Sequence, residues 1–238
     1  MASIPHKDPV AWKRAAAARA LDYVQDGMKL GLGTGSTADL FLELLAERIR
    51  GGLTIIGTPT SERTADHARG LGIPLAELDS LGRLDLAVDG ADEADGNLDL
   101  IKGGGGALLR EKIVAASAAR LIVIADESKF VDPLGAFPLP VEVVPFGHIS
   151  TRGRIRQTAQ DLGYANFTLQ LRGKDGEAFR TDNGNYIYDC AFGAITNARL
   201  LATSLSVTPG VVDHGLFVGM ASALVLAGPG GVRVLERN

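Results

Sequence analysis

A short apolar run, Met28-Lys-Leu-Gly-Leu-Gly33, passes through the turn Gly33-Thr-Gly-Ser-Thr37 into a helix over 38–50 with Leu40, Leu42, Leu44 and Leu45 on its apolar side. This strand-turn-helix unit recurs. Apolar runs predict strands over 53–57, 84–88 and 121–125, and helical spacing predicts helices over 61–71 and 107–119. Asp8 is expected to cap an earlier, alanine-rich helix from Pro9 to Gln25, with Gly27 as its stop. Alternating strands and helices fold as a parallel sheet covered on both faces, an α/β class.

Around Phe137-Pro-Leu-Pro140 the pattern changes, and two close prolines suggest a domain crossing. Beyond it the expected order is strand 141–144, helix 151–162, strands 168–172 and 186–189, helix 194–204 and strand 211–217. That order, βαββαβ, is a split βαβ arrangement. Runs at 221–227 and 232–235 are expected to rejoin the first sheet. The division expected is therefore 1–135 plus 218–238 for the first domain and 136–217 for the second.

The chain has 238 residues, enough to bury a substantial core. Its 46% hydrophobic and 22% charged residues are ordinary for a globular protein, while 30 glycines exceed the usual ~7%. A net charge of −4 supplies no bulk basic field, which argues against nucleic acid or an anionic membrane surface as the main partner. Any anion site must be local. The single cysteine, Cys190, excludes an intramolecular disulfide, fits a reducing, cytoplasmic setting and reads as a core residue. Met1 to Pro9 lack the apolar stretch of a signal peptide, and no long apolar window suggests a membrane span. His6, His67, His148 and His214 are scattered without metal-ligand spacing, so no metal is assigned.

Four segments fall where strands are expected to end, and ligands of open parallel sheets bind outside such ends. The Gly31 to Thr37 turn brings backbone N–H groups and hydroxyls to a helix N-terminus, which favours an anion such as phosphate. A plain turn with Ser36 as N-cap is the alternative. Asp89 and Asp92, three apart with Glu93 beside them, crowd carboxylates at one strand end, which raises at least one pKa. Mg²⁺ is another tenant for such a cluster, and simple bonding of turn N–H groups is the third reading. Four consecutive glycines after Lys102 cost conformational entropy, and close approach of backbone to a small ligand would offset it. Glu111 falls in the first turns of the following helix, where the dipole favours its ionised form. Lys129, and Lys13 on the first helix, are candidate cations.

Taken together, GLGTGSTA, DGADE, KGGGGALLREK and ADESK resemble, in order and spacing, the type A ribose-5-phosphate isomerase family. The resemblance extends through FPLPVEV at Phe137 to Val143, TDNGN at Thr181 to Asn185 and PGVVDHGLF at Pro209 to Phe217. It implies a Rossmann-like catalytic domain with a smaller ferredoxin-like α+β domain, and a homodimer or homotetramer. It also implies interconversion of D-ribose 5-phosphate and D-ribulose 5-phosphate in the non-oxidative pentose phosphate pathway, without metal or organic cofactor. Residue by residue, it implies Glu111 as the base that moves a proton between C1 and C2 through a cis-enediolate. Asp89 is implied in ring opening and proton transfer at the oxygens, and Lys102 as the cation near the developing enediolate oxygen. The N–H groups of Gly103, Gly104 and Gly105 would assist, with Gly90, Ala91 and Asp92 lining the sugar. Thr34, Gly35, Ser36, Thr37 and Lys129 match the phosphate site, and Lys13 falls where the family often has a lysine. Two positions depart from the pattern: Gly106 replaces a common alanine, and Leu109 a common threonine.

A second class of function remains open at this level, a sugar-phosphate sensor of the same fold that binds without turnover. Residues 1–25 are too short and alanine-rich to supply a helix-turn-helix for such a regulator. A dehydrogenase reading lacks the GxGxxG turn.

Overall fold

Asp8 opens the first helix as expected: its side chain accepts the N–H groups of Val10 and Ala11, and Pro9 follows where no donor is needed. The computed structural model describes residues 8–237. His6 and the first seven residues, read above as lacking an apolar leader, lie outside the described residues. In chain order the elements are α1 (Pro9–Ala20), β1 (Lys29–Leu32), α2 (Ser36–Arg50), β2 (Ile56–Pro59), α3 (Glu62–Gly70), α4 (Leu78–Leu81) and β3 (Leu86–Gly90). Then come β4 (Glu93–Ala94), β5 (Leu100–Ile101), α5 (Leu108–Ser117), β6 (Leu121–Asp126), β7 (Leu139–Val143), α6 (His148–Asp161) and β8 (Thr168–Leu171). The last are β9 (Gly173–Lys174), β10 (Glu177–Ala178), β11 (Tyr186–Ala191), α7 (Ala198–Ser206), β12 (Val211–His214), β13 (Leu216–Phe217), β14 (Ala223–Gly228) and β15 (Gly231–Glu236). Among the described residues, no helix is long and apolar enough to cross a membrane.

Two compact units result. The first comprises residues 1–91, 110–130 and 219–238, and the second residues 92–109 and 131–218. This differs from a division at 135/136. Residues 92–109 group with the second unit because β5 pairs with both β4 and β13.

The first unit carries a six-stranded sheet in the order β15-β14-β6-β3-β1-β2. All its pairings are parallel except the β14–β15 edge, so the runs at 221–227 and 232–235 do return to this sheet. Leu30, Leu32, Leu86, Val88, Ile122, Ile124 and Val225 from four strands pack with Phe41, Leu42 and Leu45 of α2. Each such leucine contributes roughly 1.5–3 kcal/mol by leaving water. The alanines of α1 are small enough to let the helix lie close, and Ala16, Ala17 and Ala20 are fully buried. This helix stops earlier than expected, at Ala20 with one 3-10 turn after it, because Arg48 donates to the Leu21 carbonyl at 2.7 Å. Strand β2 also starts later than expected. Thr54 is engaged instead by Asp26, which accepts its N–H at 2.8 Å and its hydroxyl at 2.7 Å.

The second unit has an antiparallel sheet in the order β12-β7-β11-β8, with α6 and α7 as the crossovers of the βαββαβ chain. This is the ferredoxin-like arrangement. Its core gathers Val141, Val143, Ile155, Leu169, Tyr188, Cys190, Leu201 and Leu205. Helix α7 begins at Ala198 rather than 194 because Asn197 caps it, its side chain accepting the Leu200 N–H at 2.9 Å.

Two packing details carry expectations. A methyl group placed at Gly33 would meet Asp89 Oδ1 and lie 2.6 Å from the Asp89 Cα. Gly33→Ala is therefore expected to lower stability by roughly 1–3 kcal/mol in urea unfolding, and an unchanged midpoint would contradict this packing. Cys190 is fully buried, and burial first, with the Asp189 carboxylate second, pushes its thiol well above the ordinary range. The native protein is expected to resist an alkylating reagent near neutral pH and to react only once unfolded; fast labelling of native protein would show an open core.

Candidate active site

The first unit assembles its polar groups where β1 and β3 end. Asp89, next to last in β3, is buried, and its Oδ1 accepts the N–H groups of Thr34 at 3.0 Å and Gly90 at 2.7 Å. Gly33 N–H donates to the Val88 carbonyl at 2.9 Å, which carries the pairing of the two strands right up to this carboxylate. Glu111 lies in the first turn of α5 and is also buried. It lines a narrow gap together with Asp89, Gly33, Thr60 and Val114. The macrodipole of α5 favours the ionised form of a carboxyl group in its first turn.

The segment expected to receive an anion follows directly after Thr34. Gly35, with φ +121°, precedes α2 and supplies no capping side chain, so Ser36 is the first helical residue rather than its N-cap. Helix N–H groups are thus left for another acceptor. Lys13 Nζ donates to Ser36 Oγ at 2.9 Å, which brings a cation from α1 to this terminus. Thr37 is buried in the same turn of α2. Lys129 closes the single 3-10 turn Glu127–Lys129 that follows β6 and is half-buried.

Thr34 behaves differently from its neighbours. Its hydroxyl lies 2.8 Å from Thr60 Oγ1, 2.8 Å from Ser61 Oγ and 2.9 Å from Thr64 Oγ1, so its side chain joins a hydroxyl cluster while its N–H serves Asp89. Sequence reasoning missed Thr60, Ser61 and Thr64. The signal was there, four hydroxyl residues within Thr58-Pro-Thr-Ser-Glu-Arg-Thr64 at the end of a strand.

In the second unit, Lys102 is buried directly after β5. Its N–H donates to the Gly215 carbonyl at 2.8 Å, and its ammonium lies 5.5 Å from the centre of the Phe217 ring. Gly103 has φ +107°, and Gly106 N–H returns to its carbonyl at 3.0 Å, closing a tight turn. Gly104 and Gly105 are exposed at its tip. Asp92 Oδ2 accepts the Gly104 N–H at 2.7 Å and so braces the loop from one side. Gly90 and Ala91 are half-buried in the chain leading to it.

Of the three carboxylates expected together, Glu93 has backbone partners of its own. Glu93 is buried and turned to another partner, accepting the N–H groups of Gly135 and Phe137, both at 2.6 Å. Glu93 opens β4 whereas Asp92 lies in the bend before it, and the two take different partners. Asp89, Asp92 and Glu93 each find their own backbone donors, as turn aspartates commonly do. Among the described residues, no group of three or more His, Cys, Asp or Glu is placed to hold a metal ion.

Comparison with known proteins finds one family. Residues 56–231 match the family model described as ribose 5-phosphate isomerase A (phosphoriboisomerase A). A ribose-5-phosphate isomerase A of Rhodopseudomonas palustris strain HaA2 is 62% identical, over 94% of this chain and 97% of its own length. That of Nitrobacter hamburgensis is 59% identical, over 96% and 98%. Among solved structures, ribose 5-phosphate isomerase from Plasmodium falciparum superposes with a TM-score of 0.90 at 40% identity, covering 96% of this chain and 99% of that one. A D-ribose-5-phosphate isomerase in complex with phospho-erythronic acid gives 0.89 at 39% identity, covering 97% and 100%. Motifs, both sheets and near-complete coverage of these relatives point one way: the chain belongs to the ribose 5-phosphate isomerase A family.

Proposed function

We infer that the chain interconverts D-ribose 5-phosphate and D-ribulose 5-phosphate, an aldose-ketose isomerisation in the non-oxidative pentose phosphate pathway. The observation that carries the mechanism is the pairing of two buried carboxyl groups, Glu111 and Asp89, on one narrow space at the strand ends. Glu111 is the base. Its carboxylate takes the proton from C2 of the open-chain aldose and returns it to C1 through a cis-enediolate. Asp89, held in one orientation by two N–H donors, assists ring opening and moves protons at the sugar oxygens.

Negative charge develops on the enediolate oxygen as the proton leaves, and the remaining groups answer it. Lys102 supplies the opposing cation, and the N–H groups of Gly103 and Gly105 act as preorganised donors, with Gly104 between them held through its own N–H. Asp92 holds the glycine turn through Gly104, while Gly90 and Ala91 line the sugar. The phosphate is received by the N–H groups of Gly35, Ser36 and Thr37 and the hydroxyls of Ser36 and Thr37, with Thr34 shaping the turn before them and Lys129 and Lys13 adding charge. The relative that binds phospho-erythronic acid, a phosphorylated sugar acid, is consistent with this division into an anion site and a sugar site. The protein works in the cytoplasm as a homodimer or homotetramer. A lone cysteine supports the reducing compartment, and the family resemblance supports self-association.

Formation of ribulose 5-phosphate from ribose 5-phosphate by purified protein, with chelator present, tests the activity. Glu111→Gln keeps the shape and removes the base, so kcat should fall roughly 100- to 10,000-fold while sugar phosphate still binds; a near-normal kcat would sink the assignment. Lys129→Ala should raise KM roughly tenfold with a smaller effect on kcat. An unchanged KM would remove Lys129 from the phosphate site.

A further inference from the structure

Arg172 belongs to none of the motifs that identify the family, yet its side chain reaches the glycine turn. It follows β8, and its guanidinium is forked onto Asp189 of β11, Nε donating to Oδ2 at 3.0 Å and Nη2 to Oδ1. Such a two-point contact fixes the plane of the guanidinium. The remaining nitrogen, Nη1, donates to the Gly103 carbonyl at 2.8 Å and to the Gly104 carbonyl at 3.3 Å. Only 17% of the Arg172 side chain is exposed, and its bonds to Asp189 and to the Gly103 carbonyl are part-buried, while the longer one to Gly104 faces solvent.

The consequence follows from peptide geometry. In a trans peptide the carbonyl and the next N–H point in opposite directions from one rigid plane. Holding the Gly103 carbonyl therefore aims the Gly104 N–H, which meets Asp92 Oδ2 at 2.7 Å. Holding the Gly104 carbonyl likewise aims the Gly105 N–H away from Arg172, at the exposed tip of the turn. Glycines have no side chains with which to restrict themselves, so the direction of these donors must be imposed from outside.

A second group seats the same turn. The β9–β10 hairpin leaves Arg172 and returns at Phe179, whose N–H donates to the Arg172 carbonyl at 2.8 Å. The Phe179 ring lies 5.9 Å from the guanidinium carbon. At Gly106, with φ +81°, an added methyl would lie 2.5 Å from two ring carbons. The glycine that stands in place of the family's common alanine is thus the position against which Phe179 packs.

We propose that Arg172 is a positioning residue for the isomerisation: anchored by Asp189 and flanked by Phe179, it orients the Gly103–Gly104 and Gly104–Gly105 peptides so that their N–H groups are preset for Asp92 and for the enediolate oxygen. This rests on the reading of Lys102 to Gly105 as part of the sugar site. Steady-state kinetics with ribose 5-phosphate on Arg172→Ala, Arg172→Lys and Asp189→Asn, each with a thermal melt, test it, with Lys102→Ala in parallel. In Arg172→Ala, kcat per folded protein should fall roughly 10- to 100-fold with a smaller change in KM, as misplaced donors do. Millimolar guanidinium should restore part of that kcat, a response that mere loss of stability does not give. Arg172→Lys should stay low, since one ammonium cannot hold two carbonyls and a carboxylate. If Arg172→Ala does not fold, Arg172→Lys and Asp189→Asn carry the same kcat test. Native kcat in the folded Arg172 and Asp189 variants, with activity lost in Lys102→Ala, overturns the positioning role alone. Full activity in Lys102→Ala overturns it together with the reading of the loop.

Discussion

A buried carboxylate must find donors, and at Asp89 that requirement organises the first unit around the site. Its Oδ1 takes the N–H groups of Thr34 and Gly90, one from the segment after β1 and one from the end of β3. Leaving such a group without donors would cost roughly 1–3 kcal/mol or more. The bond is possible only because Gly33 has no Cβ, so the chain passes directly over the carboxyl group. Once Thr34 N–H is committed, its hydroxyl falls among Thr60, Ser61 and Thr64, and the chain enters α2 at Gly35 with its helix N–H groups uncapped. The buried carboxylate and the uncapped helix terminus are thus two results of one constraint.

The second unit solves the opposite problem. Lys102 to Gly106 contains almost no side chain with which to stabilise itself, and glycine is the residue that loses most freedom on folding. Its order comes from its surroundings: Gly215 binds the Lys102 backbone, Asp92 binds Gly104, and Arg172 binds the carbonyls of Gly103 and Gly104. An exposed backbone held on several sides need not reorganise when charge appears, which is the property that the proposed electrostatic role of this loop requires. The cost of four glycines is offset by neighbours that leave only their N–H groups presented.

Much of this was legible in the amino-acid sequence. The strand-turn-helix alternation, the βαββαβ order and the return of 221–235 to the first sheet follow from periodicity and glycine turns. The Asp8 cap was readable because an aspartate directly precedes a proline at a helix start. Other features were not. Strands β4, β5 and β13 are two residues each, too short to show alternation, so the small sheet that carries Lys102 left no pattern. Asn197 lay inside a stretch read as helix, and its capping role was overlooked. Glu93 looked like a member of a carboxylate cluster because sequence adjacency does not reveal which partners a side chain takes.

Left to residue types and spacing, the chain declared its fold class, an anion-binding turn and a costly glycine run flanked by a lysine and a glutamate; the sugar was named only through resemblance to a family. The tertiary structure decided which groups hold those elements in working geometry. Arg172 and Gly103 are 69 residues apart, and Thr34 and Asp89 are 55 apart. Helix and strand preferences are set by neighbours within a few positions, so they can be read locally. A hydrogen bond between distant segments depends on where the folded backbone brings them, and no local pattern encodes that meeting.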